Sequence, residues 1–215
     1  MKPNEEVIKG YVDTKKLNGD RVVVQDRRGF TSFLSLGLVI FLIYSAIRHM
    51  GVRFIGTFLP LYLTGIRQLS ASEASLILGS VSLVGVFAAP LGGYLSDKFG
   101  YKRWLLKVIL ASIVCISLAF LLPNTLLFII LYFSYRFFNS CGMPANSSIV
   151  ARLTPSSQRG IGFALSFLPG NIVGSVIPII AGLLADQMGL SFLFPLGISI
   201  MLVSLVLLKF GVKVT

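Results

Sequence analysis

Charge is the first thing this sequence is short of. Asp, Glu, Lys and Arg make up 13% of the 215 residues, where a soluble domain carries about 25%. Acid is scarcer still: 8 Asp and Glu against 19 Lys and Arg. A soluble globular domain is excluded, and a membrane protein is implied. One histidine and two cysteines cannot build a usual zinc site, so no metal and no cofactor is expected. Cys115 and Cys141 both fall inside apolar runs and read as small packing residues rather than a disulfide. There is no Gly-x-Ser-x-Gly and no metal cluster, which argues against a membrane-embedded enzyme. The first 30 residues are polar and mixed in charge, with no signal-peptide core.

Apolar sequence is abundant, at 55% of residues with a mean hydropathy of +0.86. It is arranged in six runs. The first covers 31–64 and is interrupted by Arg48, His49 and Arg53. At 1.5 Å per residue it reaches about 50 Å, longer than a ~30 Å hydrocarbon core, so one tilted helix is expected. The others are 72–95, 104–122, 126–150, 160–185 and 192–208. Ser72 followed by Glu73 reads as the start of the second helix. A polar tail covers 1–30, the six-helix domain 31–208, and a short basic tail 209–215. An all-α fold follows, and six spans place both termini on one side.

Lys and Arg decide which side. Fifteen lie on the side of the termini and only Arg67 on the other, while Arg48, Arg53 and Arg136 lie within the membrane. That split predicts cytoplasmic termini in a multi-pass protein of the cell membrane. The high pI is thus a topology signal and needs no nucleic-acid partner.

Between the second and third runs lies Gly93-Tyr-Leu-Ser-Asp97-Lys98-Phe-Gly100-Tyr-Lys102-Arg103. It fills every fixed position of Gly-x-x-x-Asp-(Arg/Lys)-x-Gly-x-(Arg/Lys)-(Arg/Lys). The segment resembles the signature loop of the major facilitator superfamily of membrane transporters. The resemblance covers about 31–208, one six-helix half. It implies a secondary carrier of a small-molecule solute working by alternating access, with a second six-helix half, identical or complementary, to complete the path. It also implies a gating role for Gly93, Asp97, Lys98, Gly100, Lys102 and Arg103, with the basic residues partnering Asp97. The basic tail is similar to the central loop that precedes a second half, while the signature and Arg136 fit a first half equally. A truncated or non-transporting six-helix subunit, or a channel component, is the alternative.

Gly93-x-Leu95-x-Asp97-x-x-Gly100 returns 89 residues later as Gly182-x-Leu184-x-Asp186-x-x-Gly189. Three runs separate the copies, so they lie on opposite faces, as two inverted three-helix repeats require.

Charged side chains at bilayer depth usually face a cavity or a partner. Arg48 and Arg136 both fall near mid-membrane and are the first candidates to line a substrate cavity; bonding to carbonyls at helix breaks, or snorkelling, is the bland reading. His49 adjoins Arg48 on the helix surface, while Arg53 lies about 140° away, so the three are not expected to face one point. No Asp or Glu lies at mid-membrane: Glu73, Asp97 and Asp186 sit near span ends. A proton relay would need His49 or a group from elsewhere. Buried cations without buried anions suit an anionic or strongly polar solute. Arg136-Phe-Phe-Asn139-Ser140-Cys-Gly142 is similar to a fourth-helix pattern of the superfamily, Arg-x-x-Gln-Gly-x-Gly, with Asn139 and Ser140 departing from it. Gly170, Gly174, Pro178 and Gly182, spaced four apart, predict close helix packing with a bend.

Overall fold

A computed structural model describes residues 36–212. The polar tail expected over 1–30 therefore lies outside the described residues. Seven principal helices are formed: α1 Leu36–Thr57, α2 Ala71–Phe99, α3 Tyr101–Leu121, α4 Thr125–Cys141, α5 Met143–Leu153, α6 Arg159–Met188 and α7 Leu193–Gly211. No strand occurs among the described residues. Six segments are long and apolar enough to cross a bilayer, with α4 and α5 joined as the fourth.

Local chemistry sets the boundaries, and several differ from those expected. Below α1, Phe58 leaves helical geometry ahead of Pro60, which has no N–H to donate. The chain then makes a short turn, Leu59–Leu61, and a π-helical turn, Tyr62–Ile66. α2 starts two residues before Ser72 was expected to cap it. Ser70 is the N-cap: its Oγ accepts from the Glu73 N–H at 3.2 Å, and the Ser70 N–H donates to Glu73 Oε2 at 2.8 Å. The Ser-x-x-Glu spacing of the capping box is the reason. Asn124 caps α4 through Oδ1, which accepts from the Leu127 N–H at 3.1 Å.

The segment expected as a loop, 93–103, is helical except for one residue. Gly100, at φ 85°, ends α2 and begins α3. Its repeat mate Gly189, at φ 86°, ends α6 in the same way. This left-handed backbone is open to glycine at little cost. The expected loop 186–190 thus also shrinks, with Asp186 still helical, and the basic C-terminal tail begins later because α7 continues to Gly211. The fourth run, by contrast, breaks at Gly142 ahead of Pro144. The carbonyl freed there, on Cys141, accepts from Trp104 Nε1 at 3.2 Å.

Packing follows the two inverted triplets. The first span packs most extensively on the sixth and the fifth, and the fourth on the third and the second. Exchanging the triplets maps each of these contacts onto another, as a two-fold pseudo-symmetry requires. Backbones approach closely where glycine allows it. A Cβ on Gly51 would fall 2.7 Å from the Gly197 carbonyl oxygen, joining α1 to α7, and one on Gly92 only 2.3 Å from the Cys141 carbonyl oxygen, joining α2 to α4. The core is carried by α1, α3, α4 and α7, with Phe41, Ile109, Ile116, Phe128 and Met201 buried. α2 and α6 are the least buried spans and carry exposed Leu83, Phe87, Ile172 and Ile179. Such faces suit lipid contact.

Candidate functional site

The helices leave a cavity of about 300 Å³ bordered by α1, α4, α5 and α6. α1 supplies its charge. Arg48 is 6% exposed, and its terminal nitrogen donates to Asn139 Oδ1 on α4 at 2.6 Å. Its Nε is buried and donates to no described residue. His49 Nδ1 donates to the Ser45 carbonyl, one turn earlier, at 2.8 Å. A carbonyl can only accept, so Nδ1 carries a proton and the ring plane is fixed. Arg53 is exposed and lines the same cavity.

Arg48, His49 and Arg53 therefore do share one space, against the expectation from their angular spread. The cavity flanks α1 on two sides, with α4 and α5 on one and α6 on the other. The long guanidinium stems cover the remaining angle.

The α6 glycines explain how. A Cβ on Gly170 would lie 3.2 Å from His49 Cδ2, and one on Gly174 would lie 3.3 Å from an Arg53 terminal nitrogen. These two glycines seat the His49 ring and the Arg53 guanidinium from α1, and the backbone contacts predicted for them occur instead at Gly51 and Gly92. Gly182 meets only the Phe58 ring edge at 3.8 Å. Pro178 lies within a helix that continues without interruption from Arg159 to Met188.

Arg136 is placed differently from Arg48. It is absent from the lining of this cavity, and its Nε is buried without a partner among the described residues. Asn139, one turn further along α4, is the α4 group that reaches the cavity wall. Polar residues not singled out from the sequence complete the lining: Ser45, Asn146, Ser147, Ser166 and Asn171. Asn146 Oδ1 is buried there and takes no hydrogen bond. One signal could have found Asn146, Ser147 and Asn171. Asn146-Ser147-Ser148 and Asn171 are polar interruptions of apolar runs. Tyr44-x-x-x-Arg48 recurs as Tyr132-x-x-x-Arg136.

The signature segment does not form its expected ion-pair network. Asp97 is exposed on the last turn of α2 and pairs with no cation among the described residues. Lys102 instead donates from Nζ to the carbonyl oxygens of Lys209, at 3.0 Å, and Val212. Those carbonyls lie at the end of α7, where helical partners run out and a lysine can cap them. Lys98 and Lys107 lie over the Phe99 ring, at 5.9 and 5.2 Å from its centre. Arg103 is exposed. At the other end of the bundle, Arg67 performs the same service for α3. It donates to the carbonyls of Leu122, at 2.7 Å, and Pro123, and lies 4.8 Å from the Phe128 ring centre.

Comparison with known proteins adds the family. The sequence profile of the Major Facilitator Superfamily matches residues 40–215. The chain is 31% identical over 140 residues to the uncharacterized MFS-type transporter YqjV of Bacillus subtilis, covering 64% of this chain and 34% of that protein. It is 31% identical over 159 residues to the multidrug resistance protein MdtG of Citrobacter koseri, covering 71% and 38%. To the citrate-proton symporter of Klebsiella pneumoniae it is 28% identical over 144 residues, covering 63% and 32%. It spans about a third of the length of these relatives. Six apolar spans, two inverted triplets and this profile match agree: the chain belongs to the major facilitator superfamily.

Proposed function

We propose that this chain is one six-helix half of a secondary carrier that moves a small anionic or strongly polar solute by alternating access. One observation carries the reading. A cavity at membrane depth holds Arg48, His49 and Arg53, and no carboxylate of the described residues lines it. A guanidinium at bilayer depth costs about 2.5–3.5 kcal/mol, and Arg48 has one hydrogen bond in return. An anion entering the cavity supplies the missing charge and acceptors. The relatives' names span drugs and citrate; the cavity's charge favours the second kind.

The solute path needs a second six-helix unit, a copy of this chain or a complementary one. Residues of α1, α4, α5 and α6 line the cavity, and the chain covers only 34% of the length of its relative from Bacillus subtilis. In the orientation we infer, both ends of the six-helix unit and the 98–103 segment face the cytoplasm of a cell membrane. The short span of the relatives favours a second reading, a six-helix subunit that does not transport alone.

Reconstitution separates these. Proteoliposomes containing the chain should take up labelled citrate only under an imposed ion gradient, and should run as a two-unit species in mild detergent. Gradient-independent passage of neutral solutes would make it a channel component. A monomer that still carries citrate would refute the need for a second unit.

A further inference from the structure

The walls of the cavity say more about the solute than its sign. Arg48 and Arg53 leave α1 five residues apart, about 7.5 Å along the axis and about 140° around it. Each is committed to a different wall. Asn139 draws Arg48 toward α4 through the 2.6 Å hydrogen bond. Gly174 receives Arg53 on α6, where an added Cβ would lie 3.3 Å from a guanidinium nitrogen. His49 lies over Gly170 one turn earlier, with its ring held by Ser45. The register is matched: His49 and Arg53 are one turn apart on α1, and Gly170 and Gly174 are one turn apart on α6.

Both guanidinium groups keep unused donors. Arg48 is nine-tenths buried with Nε unpartnered, and Arg53 forms no ion pair among the described residues. A single carboxylate can engage one wall. A solute with two acidic groups can engage both, and each group meets a guanidinium able to bind it through two parallel hydrogen bonds.

We propose that the cavity binds an organic anion with two separated acidic groups, of the di- or tricarboxylate class. One group sits on Arg48 at the α4 wall and the other on Arg53 at the α6 wall. Gly170 and Gly174 are positioning residues that keep the second wall clear for His49 and Arg53. This rests on the anionic-solute reading above and narrows it.

Calorimetric titration of the purified chain with acetate, succinate and citrate, at one low ionic strength, tests it. Succinate and citrate should bind about tenfold or more tighter than acetate, the effect of one added charge-assisted contact. Arg53→Gln should bring succinate to the acetate level, and Arg53→Lys should restore part of the difference. Gly174→Ala should weaken succinate, and should add nothing in the Arg53→Gln background. A persisting Gly174→Ala effect in that background would overturn the seat. Acetate and succinate binding equally to the wild-type chain would overturn the two-point site and leave the anionic-solute reading standing. Binding of none of the three would overturn both. Trp104 fluorescence melting of each variant shows that it is folded.

Discussion

Gly92→Ala tests the contact on which the α2–α4 wall is built. The added Cβ would lie 2.3 Å from the Cys141 carbonyl oxygen, 2.6 Å from its Cα and 2.7 Å from its carbonyl carbon. Ordinary contact begins near 3.4 Å, so about 1 Å of separation must be found. None of the three atoms ends a flexible side chain, and the helices themselves must move. Overpacking of this kind costs about 1–3 kcal/mol, and the lost contacts push toward the upper end. The hydrogen bonds from Trp104 Nε1 to the Cys141 carbonyl, 3.2 Å, and from Cys141 Sγ to the Ala88 carbonyl, 3.3 Å, lie on the same seam. Alanine returns about 0.8–1.0 kcal/mol through its helix propensity. The net loss is about 1–2 kcal/mol, or roughly 2–8 °C in Tm for a chain of this size.

Trp104 is the only tryptophan and sits at the seam, so its emission follows both melting and local displacement. Gly56→Ala is the control. It lies within α1 with nothing within 4 Å of its added Cβ, and should leave Tm unchanged or raise it slightly. A Gly92→Ala chain that melts at or above the wild-type temperature, with unshifted emission, would refute the α2–α4 contact.

Three further outcomes are expected. In sealed cells, a cysteine placed by Phe99→Cys should resist an impermeant thiol reagent while one placed by Gln68→Cys reacts, and the reverse pattern would invert the topology. Lys102→Gln removes the cation on the last carbonyls of α7; it should cost about 0.3–1 kcal/mol, less at high salt, and a salt-independent loss in Tm would count against the cap. Asp97→Asn should leave Tm within the range of ordinary surface changes, about ±0.5 kcal/mol, because the carboxylate is exposed and has no cationic partner among the described residues; a larger fall would show that it has one.

What was legible in the sequence was whatever depends on composition and period. Six apolar runs, the basic residues on one side and the signature glycines each leave a mark that survives without coordinates. Span ends were less legible because a cap is a hydrogen bond. Ser70 and Ser72 are the same residue type two positions apart, and only the reach of Glu73 back to the Ser70 N–H chooses between them. The helical state of 93–99 was hidden for a related reason: its charges and glycines look like a loop, yet one left-handed residue, Gly100, completes the reversal.

The site was legible in its residue types and not in its grouping. Angular spacing on one helix separates Arg48 from Arg53, but a cavity that wraps two sides of that helix joins them. Arg136 looks equivalent to Arg48 by depth, and nothing in its own neighbourhood says that Asn139 will reach the wall in its place. The glycines of α6 were read as seats for backbone. What they seat is set by α1, more than a hundred residues earlier.

The repeat shows where the two pairs of helices differ: α1 and α4 each carry an Arg at the matched position, and only α1 adds His49 and Arg53. Tyr44-x-x-x-Arg48 on α1 and Tyr132-x-x-x-Arg136 on α4 are offset by 88 residues, and the glycine ends of α2 and α6 by 89. With these offsets the α1–α6 pair corresponds to the α4–α2 pair. His49 and Arg53 then occupy the places taken on α4 by Phe137 and Cys141. Gly170 and Gly174 correspond to Val81 and Gly85 on α2. In the second pair the seam closes: Cys141 is buried against Ala88, Val81 is buried in the core, and Gly92 brings the two backbones into contact. In the first pair the seam opens only at Gly170 and Gly174, which face the His49 ring and the Arg53 guanidinium, and closes beyond them, where Phe54, Ile177 and Ala181 are buried together. The same topology thus yields one pair that closes along its matched positions and one that leaves room there for His49 and Arg53. The difference rests on two side chains of α1 and one of α6, His49, Arg53 and Gly170, where the corresponding residues are Phe137, Cys141 and Val81. The His49 and Arg53 part of the cavity is thus a local departure from the repeat, set by residues of α1 and α6 rather than by the topology.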